Sequence, residues 1–167
     1  MSETRSEARI TLAHEGAATV ETGLPVLDHL VAELARAGRL RVALEVAPGS
    51  ADEAVTAAGR ALGRAVAARL DAGSGWAMLP ADEALALVAL ERAAEGRLVT
   101  NVDFSGVGGL GSDVVARFLR ELAGGAGLNV HIRVLEGKDP QNVLRAIFKA
   151  LGAAIGQACR TPEGERR

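Results

Sequence analysis

The sequence predicts an α+β fold in which one β-β-α-β-α unit occurs twice, with antiparallel-dominated sheets packed on helices. Three observations carry that expectation. First, a strand–turn–helix pattern recurs: residues 128–155 read LNVHIRVLEGKDPQNVLRAIFKALGAAI, and residues 40–66 read LRVALEVAPGSADEAVTAAGRALGRAV. Leu40 and Leu128 lie 88 positions apart, and the offset holds to within a residue through the helices. Second, the strands alternate. Leu128, Val130, Ile132 and Val134 interleave with Asn129, His131 and Arg133, and Leu40, Val42, Leu44 and Val46 alternate in the same way. Alternation marks one buried and one exposed face, whereas central parallel strands are apolar on both. Third, Val143, Leu144, Ile147, Phe148, Leu151 and Ile155 recur at helical spacing, a stripe suited to covering a sheet.

The elements follow in order. Residues 1–7 are polar. Residues 9–13 and 17–22 alternate weakly around His14–Gly16, which suggests a hairpin. Residues 24–37 are helical, with Leu27, Leu30, Val31 and Leu34 on one face, Pro25 in the first turn and Gly38 as the stop. Strand 40–47 and helix 51–70 complete the first half, and DAGSG at 71–75 is the connector. In the second half, 83–90 reads as an apolar strand with 96–104 as its partner. Helix 112–122 follows, with Ser112 or Asp113 as cap, and then a GGAG loop. The expected organisation is one domain over 1–160, made of repeats 5–72 and 77–160, with 161–167 as a charged tail.

Composition bounds the function. The 167 residues are 49% hydrophobic and 24% charged, ordinary for a folded domain with a real core. A net charge of −2 gives no electrostatic case for nucleic acid or an anionic membrane, and aromatics at 2% supply no platform for stacked bases. The lone Cys159 makes no internal disulfide, the charged MSETRSEARI start lacks a signal-peptide core, and no window is apolar enough to span a membrane. A cytoplasmic protein is expected.

Gly106, Gly108 and Gly111 spell the dinucleotide fingerprint G-x-G-x-x-G, with Glu136 further on as the ribose acid. The strand after it alternates, and about 55 residues remain, too few for a doubly wound sheet. A loop is the better reading. Of the histidines, His29 follows Asp28 at the start of the first helix and His131 lies on the polar face of the last strand. Asp82–Glu83 after Pro80 is either a general acid/base or an exposed strand start. Arg97, Arg133 and Lys149 are either phosphate ligands or ordinary surface cations. No nucleophile–His–acid set and no H-x-x-x-H or C-x-x-C spacing occurs.

Four ordered segments together resemble imidazoleglycerol-phosphate dehydratase of histidine biosynthesis. TGLPVLDHL at 22–30 is similar to that family's TGxGFFDHML, PADEALA at 80–86 to its PMDEALA, EGR at 95–97 to its SGR, and 128–150 to its LHI…GKNDHHxxEAxFKA segment. The resemblance implies that family's fold, itself an internal duplication. It also implies a pair of manganese ions held by a His-His-x-x-Glu set at the turn entering the last helix of each half. In this chain the first set falls on Pro48, Gly49 and Asp52, and the second on Gln141, Asn142 and Arg145. A third ligand position, on the helix before the last strand, falls on Arg117. What matches is Glu7, Arg97 and Lys149 for substrate, Glu83 for catalysis, and His29, Asp52 and His131 as residual metal ligands. The STKG-like phosphate segment has no counterpart in RTPEGERR.

Mn²⁺ needs several imidazole or carboxylate donors converging on it, and Arg145 would repel a dication. The resemblance therefore implies a family member that has kept the fold and lost the metal chemistry. No cofactor is expected, or manganese if the family activity persists. Such a member would be a non-catalytic paralogue, an assembly partner or a binder of a small phosphorylated metabolite; the alternative is an active carbon–oxygen lyase with a reduced or shared metal site. A third reading, resting on the apolar helices alone, is a structural oligomer-forming module. Expected partners are further copies, as a trimer or larger, with a hetero-assembly with an intact paralogue as a further option.

Overall fold

The strands alternate because each sheet has one wet face and one dry one, and the helices fill the space between the dry faces. The computed structural model describes residues 5–104 and 114–161. In order it contains β1 (Glu7–Leu12), β2 (Ala17–Glu21), α1 (Pro25–Gly38), β3 (Leu40–Glu45) and α2 (Ala51–Ala67). The second half contains β4 (Ser74–Ala81), β5 (Ala84–Arg92), β6 (Arg97–Thr100), α3 (Val114–Ala126), β7 (Leu128–Glu136) and α4 (Pro140–Cys159). One sheet has strand order β1-β3-β2 and the other β4-β5-β7-β6. The β1/β3, β4/β5 and β5/β7 pairings are antiparallel, and β2/β3 and β6/β7 are parallel. The protein is thus α+β with antiparallel-dominated sheets.

α1 packs on α4 and α2 on α3, while α1 and α2 touch the first sheet and α3 and α4 the second. Val42, Leu44, Val88, Leu90, Val130 and Ile132 face inward and join the helices in one core cluster. Phe118 of α3 and Phe148 of α4, both fully buried, stack with ring centroids 5.9 Å apart. Burying each such ring contributes roughly 1.5–3 kcal/mol. Along α4 the buried positions run almost continuously from Leu144 to Cys159, because this helix meets α1 on one side and β4 and β5 on another.

Three sequence expectations change. The proposed hairpin of the first two strands does not form: β3 lies between β1 and β2 and pairs with both. In the same way β7 separates β5 from the expected partner at 96–104, of which Arg97–Thr100 is strand. Short-range alternation reveals strands but not which long-range neighbour completes their hydrogen bonds. Secondly, the halves are unequal. The 71–75 connector ends in a strand, β4, which begins at Ser74 and pairs antiparallel with β5 over its full length. Thirdly, GGAG is not a loop, since Gly124 and Gly125 lie inside α3. A Cβ on Gly63 of α2 would come within 2.5 Å of the Leu122 carbonyl oxygen, so the two helices cross too closely for side chains there. The Gly106, Gly108 and Gly111 motif and the Ser112 or Asp113 cap lie outside the described residues.

Gly38 closes α1 in another way than expected. It stays helical, and Arg39 takes the left-handed cap at φ 51°, donating its backbone N–H to Arg36 O. The matching position 88 residues on is Gly127, at φ 66°. Gly38 is small because α4 crosses it: a Cβ on Gly38 would run into the Gly152 carbonyl, and a Cβ on Gly152 into the Leu34 carbonyl of α1.

Candidate functional site

The TGLPVLDHL segment builds the start of α1. Thr22 and Asp28 clasp it: the Thr22 backbone N–H donates to Asp28 Oδ1 at 3.1 Å, the Thr22 hydroxyl bonds the same oxygen, and Leu24 N donates to Thr22 Oγ1 at 3.1 Å. Thr22 is 5% exposed and fully used in this way, which accounts for the Thr and Asp of the motif as architecture. Asp28 is followed by His29, whose exposed side chain lies 3.7 Å from Glu33 Oε1. The same oxygen is 3.4 Å from Arg36 and 3.7 Å from Arg145 of α4. Glu33, only 14% exposed, is the hub of this end of the molecule.

Opposite it, the first turn of α4 is fixed by Asp139, which caps Gln141 N at 2.8 Å, and by Pro140 at the first helical position. Glu83, in the tight turn between β4 and β5, accepts the Asp139 N–H at 3.0 Å and stands 3.3 Å from the Asn142 amide nitrogen. The Asp139 N–H, helped by Asn142 and opposed by partial desolvation, holds the Glu83 carboxyl below its usual range. Glu83 thus anchors the start of α4. Between the first turns of α1 and α4 lies a cleft of about 280 Å³, walled by Val26, Leu30 and Leu144 and edged by His29, Gln141 and Arg145.

The other half repeats the arrangement. Ser50 caps α2 through Glu53 N at 3.2 Å, and Asp52 follows it in the first turn. Arg117 of α3, 88 positions after His29, stands 3.2 Å from Asp52. The two places where the resemblance implies metal ligands are therefore crossed by protein ion pairs, Arg117–Asp52 in one half and Arg145–Glu33 in the other. The first joins α3 to the first turn of α2, and the second joins the sixth residue of α4 to the middle of α1.

The remaining candidates are scattered. His131 lies on the outer face of β7, level with Ala89 of β5 and Val99 of β6. Glu7 shares a cross-strand row with Glu45 and Glu21 on the outer face of the first sheet. Arg97 opens β6 beside Glu95 and Asn129. Lys149 of α4 donates to the Pro80 carbonyl of β4 at 2.6 Å. Because β4 and β6 are opposite edges of one sheet, Arg97 and Lys149 do not converge within a chain. Nor do His29, Asp52 and His131, which sit on α1, α2 and the outer face of β7. Among the described residues no group of three or more His, Cys, Asp or Glu side chains is placed to hold a metal ion. The donor set does not fit the pair of manganese ions that the resemblance implies.

Sequence reasoning missed Glu33. Its i, i+4 and i, i+3 spacing to His29 and Arg36 was visible as a helical charge pattern. Its approach to Arg145 depends on how α1 crosses α4 and was not.

Known proteins share this architecture. The family model described as imidazoleglycerol-phosphate dehydratase matches residues 22–155. The enzyme of that name from Methanoculleus marisnigri is 36% identical over 166 residues, spanning 91% of this chain and 86% of its own. The one from Metallosphaera sedula is 31% identical over 167 residues, spanning 94% and 86%. The crystal structure of the Staphylococcus aureus enzyme superposes with a TM-score of 0.81 at 23% identity, covering 94% of this chain and 95% of that one. The Pyrococcus furiosus structure gives 0.78 at 21% identity, covering 98% and 94%.

Proposed function

The chain belongs to the imidazoleglycerol-phosphate dehydratase family of histidine biosynthesis, and from that premise we propose that it keeps the family scaffold without the metal-dependent removal of water. One observation carries this reading: guanidinium groups take up the carboxylates where metal ligands are implied, Arg117 with Asp52 and Arg145 with Glu33. A fixed cation beside a carboxylate supplies the charge a dication would otherwise supply, and it repels that dication at short range. Gln141 and Asn142 contribute amides in place of imidazoles, which suit Mn²⁺ poorly. A homo-oligomer shares only the donors each chain owns, and two histidines with one aspartate do not fill two sites. Such a member serves as a non-catalytic paralogue, in assembly with an intact copy or in holding a small phosphorylated metabolite, and it assembles as a trimer without metal bridges.

A second reading is an active dehydratase. The relatives' names favour it, since those of Methanoculleus marisnigri and Metallosphaera sedula are called imidazoleglycerol-phosphate dehydratase. In that case Glu83, His29 and His131 are the groups left to act, with ligands borrowed from an intact partner. The two readings separate in one experiment. The protein is purified after growth with added manganese, its metal content is measured by elemental analysis, and it is incubated with imidazoleglycerol phosphate. The first reading expects less than about 0.1 Mn per chain and no turnover above a blank. One or more tightly held Mn per chain, with turnover, overturns it.

A further inference from the structure

The cleft between the first turns of α1 and α4 has the make-up of a small-molecule site that does not use a metal. We infer that it binds a small organic anion with an apolar body, the acid group on the Arg145 guanidinium and the body against Val26, Leu30 and Leu144. The inference rests on the metal-free reading above, because a dication at the Arg145 position would exclude it.

The volume, about 280 Å³, is at the small end of ligand sites and suits a single ring or a short chain. Its walls differ in chemistry. One is apolar, and Val26 in it is 40% exposed, a large side chain left in water at the mouth of a concave surface. The other carries His29, Gln141 and Arg145, hydrogen-bonding groups gathered at one edge. A ligand with one apolar and one polar end matches that division.

The sign of the polar end follows from the charges nearby. Glu33 stands within 4 Å of two guanidinium groups, Arg36 at 3.4 Å and Arg145 at 3.7 Å. Two permanent cations and one carboxylate leave one positive charge over. Glu33 does not line the cleft, whereas Arg145 does. Arg145 faces Glu33 through Nε at a separation too long for a hydrogen bond, which leaves its terminal nitrogens for a paired contact with a carboxylate. Among the described residues the apolar wall holds no Phe, Tyr or Trp, which directs the apolar body to aliphatic contact.

The test uses the full chain, ¹⁵N-labelled, with sodium benzoate as probe, sodium sulfate as an anion without an apolar body, and manganese chloride in a separate arm. Saturable shifts from benzoate, confined to residues 26–30 and 141–145, are expected. Arg145→Gln should weaken binding about tenfold, the loss of one charge-assisted contact, and Arg145→Lys less. Non-saturable benzoate shifts overturn the inference. So does an affinity unchanged in a folded Arg145→Gln, or sulfate binding at the same residues as tightly as benzoate. If manganese broadens the His29 and Arg145 resonances and displaces benzoate, both this inference and the metal-free reading fall. Silent manganese with no benzoate response removes the inference alone.

Discussion

Replacing Gly152 with alanine places a methyl group where α4 crosses α1. A Cβ there would lie 2.6 Å from the Leu34 carbonyl carbon and 2.7 Å from its Cα, and nearer still to the carbonyl oxygen. These are backbone atoms, so no rotamer change relieves the clash. The helix must retreat by about 1.4 Å to bring the nearest atom, the Leu34 carbonyl oxygen at 2.0 Å, to ordinary contact near 3.4 Å. That shift opens the packing of Leu34, Leu151 and Ile155, all fully buried. Overpacking of a rigid site costs about 1–3 kcal/mol, and a backbone-on-backbone clash belongs at the upper end. Each kcal/mol moves the midpoint by roughly 2–4 °C in a chain of this size, so Gly152→Ala should lower Tm by about 6–12 °C. Gly124→Ala is the control. It also lies in a helix, but its nearest outside neighbour is Gly96 O at 4.0 Å. Alanine there gains up to about 1 kcal/mol of helix propensity and should raise Tm by a few degrees. Thermal unfolding followed by far-ultraviolet circular dichroism reads both. A Gly152→Ala protein within about 0.5 kcal/mol of the parent, or two variants shifting in the same direction, would refute the crossing argument.

Glu83, held below the usual carboxylate range, favours the folded state above its unfolded value near 4.5, and that contribution is lost as the pH falls through its folded value. Glu83→Gln should therefore narrow the gap between neutral and acid stability, and urea titrations at pH 7 and pH 3 giving the same difference as the parent would count against the Asp139 anchor. Burial pushes the Cys159 thiol up to about 11 from 9.0, so its part of the stability is complete below pH 9 and is lost between pH 9 and about 11. The thiol should resist a disulfide reagent at pH 8 in the native protein and react on unfolding; rapid native labelling contradicts the buried placement. Combining Gln141→His, Asn142→His and Arg145→Glu puts one imidazole at the cleft edge, another beside Glu83 and a carboxylate near Glu33, and calorimetry should then detect tighter manganese binding than in the parent. A triple variant that folds and still binds no manganese would show that the first turn of α4 is not what keeps the metal out.

The sequence by itself determined most of the elements and the recurring strand–turn–helix pattern, though not β4. Period-2 runs such as Leu128 to Val134 and the helical stripe from Val143 to Ile155 are local signals, imposed by which face meets water, and they appear in the structure as β7 and α4. The TGLPVLDHL motif was legible too, but the Thr22–Asp28 clasp inside it, six residues apart, was not. Tertiary structure alone decided the rest. That β3 inserts between β1 and β2 depends on strands meeting across a folded helix. That Gly124 and Gly125 continue α3, rather than ending it, depends on α2 pressing close. The candidate site divides in the same way. That Pro48, Gly49, Gln141 and Asn142 stand where the resemblance implies histidines is written in the chain. That Arg117 reaches Asp52 and Arg145 comes within 3.7 Å of Glu33 follows from how the helices cross, and spacing along the sequence carries no record of it.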